Sequence, residues 1–183
     1  MIIDNSDSGS ILYPGFKIIL LGDEAVGKTS LFYRYVHNKF ENSYRQTLGT
    51  EILLKEVTIN GVTIILQIWD VAGGKYFSRY REKFYNGASG AVIVFDMTRQ
   101  KTYDNIKSWR EEFENIVVEV PAYIFVGNKS DLDGAREIHD ADNEKYRYKY
   151  PFELTSAKTG ENVENTFKRL AEILYKKKTG LEP

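Results

Sequence analysis

No cysteine occurs in the chain. Its absence excludes disulfides, a thiolate nucleophile, a Cys-ligated zinc site and any prenyl or palmitoyl anchor. Residue 2 is Ile2, where myristoylation requires glycine, so that lipid is excluded too. No apolar run approaches the ~20 residues that span a bilayer. Met1 to Ser10 is polar, without a basic start or a long apolar stretch, and reads as a loose tail, not a secretion signal. Charge of one sign is also scarce: the net charge is −1, which argues against binding nucleic acid by broad electrostatic attraction. These absences imply a cytoplasmic chain that does not insert into a membrane by itself.

What is present is ordinary for one folded domain: 183 residues, 42% hydrophobic and 28% charged. A chain of this length buries about two-thirds of its unfolded surface and needs no staples. Apolar runs alternate with helical patterns, the signature of βαβ units and a largely parallel sheet. Strands are predicted from Phe16 to Gly22, Glu51 to Ile59, Val62 to Trp69, Gly90 to Phe95, Ala122 to Val126 and Pro151 to Leu154. Asn60-Gly61 between the second and third is a strong hairpin signal. Helices are predicted from Lys28 to Val36, Tyr103 to Val117 and Asp140 to Tyr150. A last helix carries Val163, Phe167, Leu170, Ala171 and Leu174 on one face. Lys39 to Leu48 reads as a loop. The expectation is an α/β, three-layer α/β/α P-loop fold, with about six mostly parallel strands and one antiparallel hairpin edge. Residues 1–15 are assigned to an N-terminal tail, 16–176 to the domain and 177–183 to a C-terminal tail.

Gly22-Asp23-Glu24-Ala25-Val26-Gly27-Lys28-Thr29 matches G-x-x-x-x-G-K-[ST] between a strand and a helix. Such a loop curls backbone N–H groups around phosphate oxygens, and the helix adds its N-terminal partial charge. The candidate phosphate-binding residues are Glu24, Ala25, Val26, Gly27, Lys28, Thr29 and Ser30. Lys28 reaches the β- and γ-phosphates and the Thr29 hydroxyl binds Mg²⁺. Asp70, in Trp69-Asp70-Val71-Ala72-Gly73, ends a strand on the same edge and is placed for Mg²⁺ through water. Asn128-Lys129-Ser130-Asp131 follows another strand. A carboxylate there accepts two hydrogen bonds from guanine's N1–H and exocyclic amine, and adenine has no such donor pair on that edge, so Asp131 selects the base. In Thr155-Ser156-Ala157-Lys158, backbone N–H groups of Ser156 and Ala157 can reach the guanine O6, while the Lys158 stem covers base or ribose. Thr47 is either a Mg²⁺ and γ-phosphate ligand or a surface threonine. Phe40 is either a cover for the guanine ring or a hydrophobic staple.

Together these motifs resemble the Ras superfamily of small GTPases, the Rab branch most closely, over about Phe16 to Lys176. The Rab character lies in Tyr44-x-x-Thr47-Leu48-Gly49, in Trp69 before Asp70, and in Phe95-Asp96-Met97-Thr98. The resemblance implies a guanine-nucleotide switch using Mg²⁺ and GTP or GDP. It implies that Phe40 covers the base, that Tyr44 and Thr47 belong to the first switch loop, and that Gly73 gives its N–H to the γ-phosphate. Lys28, Thr47 and Gly73 would carry hydrolysis. Effectors, an exchange factor and an activating protein would bind the switch face of a monomer. The Rab effector triad falls on Ile52, Trp69 and Phe84; the alternative for Trp69 is simply core. Two departures bear on catalysis. Gly74 and Lys75 stand where the family has a water-orienting Gln and an acid, and Glu24 replaces a small phosphate-loop residue. The prenylated terminal cysteines of Rab proteins have no counterpart in this sequence: either the tail is cut, and the protein is then peripheral to a membrane, or it works without a lipid. The rival reading is a binding module that holds nucleotide and barely hydrolyses it.

Overall fold

The computed structural model describes residues 13–41, 47, 49–59, 61–74, 78–117, 121–139 and 150–180. Six strands form one sheet in the order β2-β3-β1-β4-β5-β6. They are β1 (Tyr13–Leu21), β2 (Thr50–Ile59), β3 (Val62–Val71), β4 (Gly90–Asp96), β5 (Ala122–Asn128) and β6 (Phe152–Thr155). Pairing is parallel except between β2 and β3, which close at Ile59↔Val62 around the anticipated hairpin. The mostly parallel α/β sheet with one antiparallel edge is therefore as the sequence implies. All seven residues of β4 and of β5 are buried. Continuous burial explains their unbroken apolar runs, since a central parallel strand is covered on both faces.

Alternate residues of the sheet feed two cores. One face packs Ile18, Leu20, Ile68 and Val94 against α1 (Lys28–His37) and the C-terminal helix, α5 (Val163–Thr179). The Tyr35 and Phe167 rings stack there, 4.0 Å apart and 11° from parallel. The other face packs Ile19, Leu21, Ile93 and Phe125 against α2 (Ser78–Tyr85), α3 (Gln100–Asp104) and α4 (Ile106–Glu114).

Three readings change. The single helix expected from Tyr103 to Val117 is two, α3 and α4, meeting at Asn105, where the backbone stays right-handed helical (φ −79°, ψ −12°). Helix α2 was not anticipated, because its sequence is mostly polar; among its described side chains Arg81 and Tyr85 are buried and Phe84 is half-buried. The last helix continues to Thr179. The helix expected from 140 to 150 falls almost wholly outside the described residues, as do the 1–10 tail, Tyr44, Leu48, Asn60 and Lys75.

Strand β1 lies between β3 and β4, so the chain reverses its winding direction there, and in such sheets the crevice beyond the strand ends takes the ligand. The loops after β1, β3, β5 and β6 all leave from that edge.

Replacing Phe167 with Ala removes a fully buried ring stacked on Tyr35. The expected loss of stability is about 3–5 kcal/mol, read from urea unfolding at fixed nucleotide concentration. A loss near zero would mean that α5 is not part of the cooperative core.

Candidate functional site

A cavity of about 1020 Å³ opens at this edge, lined among others by Lys28, Thr29, Phe40, Thr47, Gly73 and Asp131. Its floor is the loop between β1 and α1. Gly27 caps α1 at φ 98° and, being glycine, offers the first N–H groups of the helix no side-chain cap. Those donors and the helix dipole suit an anion. Lys28 is buried, and its ammonium donates to the Gly22 and Asp23 carbonyls at 2.8 Å each. Burial lowers its pKa to about 8, against the raising pull of Asp70 and Asp23. Gly73 comes so near that a Cβ would lie 2.4 Å from Lys28 Nζ and 2.5 Å from the Gly22 oxygen. Only glycine fits this close approach to the phosphate-loop backbone.

Beside Lys28, three oxygen-bearing side chains converge. The Thr29 hydroxyl donates to Asp70 Oδ2 at 2.6 Å and lies 2.8 Å from the Thr47 hydroxyl. Asp70 is fully buried, its other oxygen has no partner, and burial raises its pKa against the Thr29 hydrogen bond and the charge of Lys28. A buried orphan carboxylate oxygen beside two hydroxyls fits a hard divalent cation. The described residues hold no cluster of three acidic, histidine or cysteine ligands, so phosphate and water would complete the shell, which is how Mg²⁺ is usually bound.

The far end of the cavity is built on Asn128, which is buried. Its amide donates to the Val26 carbonyl at 2.9 Å. Its oxygen accepts from the Thr155 hydroxyl at 3.2 Å and the Ala157 N–H at 3.1 Å. A Cβ on Gly27 would lie 2.2 Å from that amide, so glycine admits the cross-link. Ser156 donates to Asp131 Oδ1 at 2.5 Å and Lys158 approaches Oδ2 at 3.8 Å. Both contacts aim the carboxylate into the cavity. Lys129, at φ 68°, pairs with Asp96 at 2.6 Å. Burial would raise Asp96, but hydrogen bonds from Lys129 and Thr98 outweigh it and hold the carboxyl below its ordinary value. Ala25, Val26 and Ser30 lie within the loop and the first turn of α1. Glu24 is exposed, its carbonyl held by Arg99 at 3.0 Å.

Every described candidate except the effector triad gathers at this one edge; Tyr44 lies outside the described residues. The triad forms a separate group. Ile52 pairs with Trp69 across β2 and β3 and is 44% exposed, and the Trp69 and Phe84 rings lie 6.0 Å apart. Trp69 is partly buried, with the Lys17 ammonium 3.9 Å from the ring centre. It is thus half core and half surface.

Several supporting residues escaped the sequence reading. Arg34 of α1 donates to the carbonyls of Ala157 at 2.8 Å and Lys158 at 2.6 Å, and to the Asn38 side chain at 3.0 Å. Asp23 is gripped by Asn105 and Trp109, each at 2.7 Å. No spacing rule connects residues so far apart in sequence. An arginine nearly two turns into the helix after a phosphate loop was the available hint for Arg34.

Comparison with known proteins settles the family. The Ras family model matches residues 17–176. The chain belongs to the Ras family. It is 39% identical to the Ypt/Rab-type GTPase YPT7 of Saccharomyces cerevisiae, over 85% of this chain and 79% of that one. It is 38% identical to the Ras-related protein Rab7 of Pisum sativum (87% and 82%) and 36% to the Ras-related protein RABG3d of Arabidopsis thaliana (91% and 85%). The chain is thus a Rab-type small GTPase of the Ras family that binds GDP or GTP with Mg²⁺, and GTP hydrolysis is the family reaction. Thr29, Thr47 and Asp70 are the residues that fit the ion, which, when bound, neutralises phosphate charge.

Binding is linked to protonation at Lys28. Its pKa is depressed to about 8 by burial, and phosphate favours the charged form, so binding raises the value. Above about pH 8 the complex then holds more protons than the empty protein. GDP affinity is expected to be flat below that pH and to fall above it, with proton uptake on binding. Calorimetry at about pH 9 in buffers of different ionisation enthalpy reads the uptake; a buffer-independent enthalpy would count against this.

Proposed function

We propose that this protein is a GDP/GTP regulatory switch of Rab-like membrane-trafficking type whose intrinsic GTP hydrolysis is slow. One arrangement carries the reading: Thr47 and Gly73, on the two switch loops, both stand against the phosphate loop, at Thr29 and Lys28. Their contacts form with a γ-phosphate and are released without it, which makes the loops an order–disorder element. In this reading Asp131 reads guanine, Asn128 and Lys129 hold it, Ser156 and Ala157 offer N–H groups to its O6, and Phe40 and Lys158 cover it.

Hydrolysis needs charge neutralisation and a water held in line. Lys28, the loop amides and the cation site supply the first. Gly74 has no side chain to supply the second, and Glu24 places a carboxylate at the cavity mouth. The same two residues favour the second reading, a module that retains nucleotide almost permanently; the intact Thr47, Lys28 and Asp70 favour the switch. Single-turnover hydrolysis, with nucleotide release followed in parallel, separates them. The switch reading expects unaided turnover of the order of 10⁻⁴ per second or below and a rise on Gly74→Gln. Turnover of the order of one per minute without a partner would overturn slow hydrolysis and reveal a substitute for the missing glutamine.

Ile52, Trp69 and Phe84 form the proposed effector patch, since an aromatic with one face open is a common hot spot. Trp69→Ala is expected to weaken capture of partners by the GTP-loaded protein at least about tenfold, with GDP affinity nearly unchanged. Equal loss of both would assign Trp69 to folding instead.

A further inference from the structure

Phosphate loop and second switch loop are joined by side chains that line none of the nucleotide cavity. Arg81 of α2 is 5% exposed. Its Nε and one terminal nitrogen donate to the two oxygens of Glu112 on α4, each at 3.1 Å. The other terminal nitrogen donates to the Gly74 carbonyl at 2.9 Å. The guanidinium also lies 4.5 Å from the centre of the Trp109 ring. Trp109 donates to the Asp23 carboxylate at 2.7 Å, and the Asp23 carbonyl accepts from Lys28 at 2.8 Å. Packed and hydrogen-bonded contacts therefore run unbroken from the Gly74 peptide to the ammonium at the phosphate site. Tyr85 adds a hydrogen bond to Glu112 at 2.8 Å, which holds the acceptor in place.

Glycine at 74 costs the loop its stiffness as well as its side chain, because glycine loses the most backbone freedom on ordering. A buried arginine with its fork engaged on both sides restores that order from outside. We propose that Arg81 is a positioning residue for γ-phosphate recognition: by holding the Gly74 carbonyl it fixes the backbone beside Gly73 against Lys28 and couples it to the phosphate loop through Trp109 and Asp23. This deepens the switch reading and rests on it. Arg81 acts only through the peptide it holds.

The test compares binding of GDP and of a non-hydrolysable GTP analogue to the wild-type protein, Arg81→Gln, Arg81→Lys and Glu112→Gln. The Trp109 indole N–H resonance is followed in each. Loss of a charge-assisted hydrogen bond is expected to lower analogue affinity relative to GDP by about tenfold in Arg81→Gln. Arg81→Lys should recover part of the ratio, and Glu112→Gln should lose less than Arg81→Gln. In the wild type the Trp109 resonance differs between the two nucleotides, and that difference collapses in Arg81→Gln. Equal loss of GDP and analogue affinity, or an unchanged ratio, overturns the proposal. If Arg81→Gln fails to fold, the ratio in Glu112→Gln decides by the same criterion. A wild type whose two loaded forms give the same Trp109 resonance and the same affinity would instead overturn the switch reading, and this proposal with it.

Discussion

Burying the Lys28 ammonium withdraws a full charge from water, and several features of the structure follow from offsetting that cost. Two carbonyls, those of Gly22 and Asp23, take two of its three protons. They can do so only because the loop folds back over the start of α1. The cavity side is left for a third oxygen, and a phosphate supplies charge as well as an acceptor. Gly73 has to be glycine because the ammonium occupies the space a side chain would need. The loop after β3 and the buried lysine are therefore in direct contact, so that in the proposed switch a change at one is felt at the other.

A neutral counterpart does the same work at the base. Asn128 presents a donor to one loop and an acceptor to another, and its burial makes both bonds obligatory. The phosphate and base loops are held at one fixed separation by a single amide. Asp131 then needs only Ser156 and Lys158 to orient it. Nucleotide recognition here is a property of strand ends fixed by the sheet, with short side chains making the last adjustments.

Much of this was legible in the sequence for a physical reason. Phosphate and base loops follow buried strands, so each announces itself as an apolar run ending in glycine or a polar residue, and the residues that touch ligand lie within a few positions of that end. Lys28, Thr29, Asp70, Asn128 and Asp131 became candidates that way, and they lie together at one sheet edge. Helix α2 was not, since its sequence is mostly polar and the buried side chains among its described residues are Arg81 and Tyr85. Arg34, Arg81 and the grip on Asp23 were missed because each joins distant segments through side-chain forks, which have no signature in spacing. Trp69 was ambiguous in sequence and is divided in fact: one edge packs on Phe84 and the outer core, while the ring faces Lys17.

The fork of Arg34 has a consequence for how the molecule lets go of its ligand. It spans the carbonyls of the base-side loop and the residue that closes α1, two positions before Phe40. Free-energy coupling between two sites runs equally in both directions. A bound guanine that stiffens the base-side loop thereby steadies the end of α1. A partner that disturbs that helix end would weaken the hold on guanine by the factor by which guanine weakens the partner's own binding. The release of a small molecule is in this way written into the mechanics of a helix terminus that it need not touch.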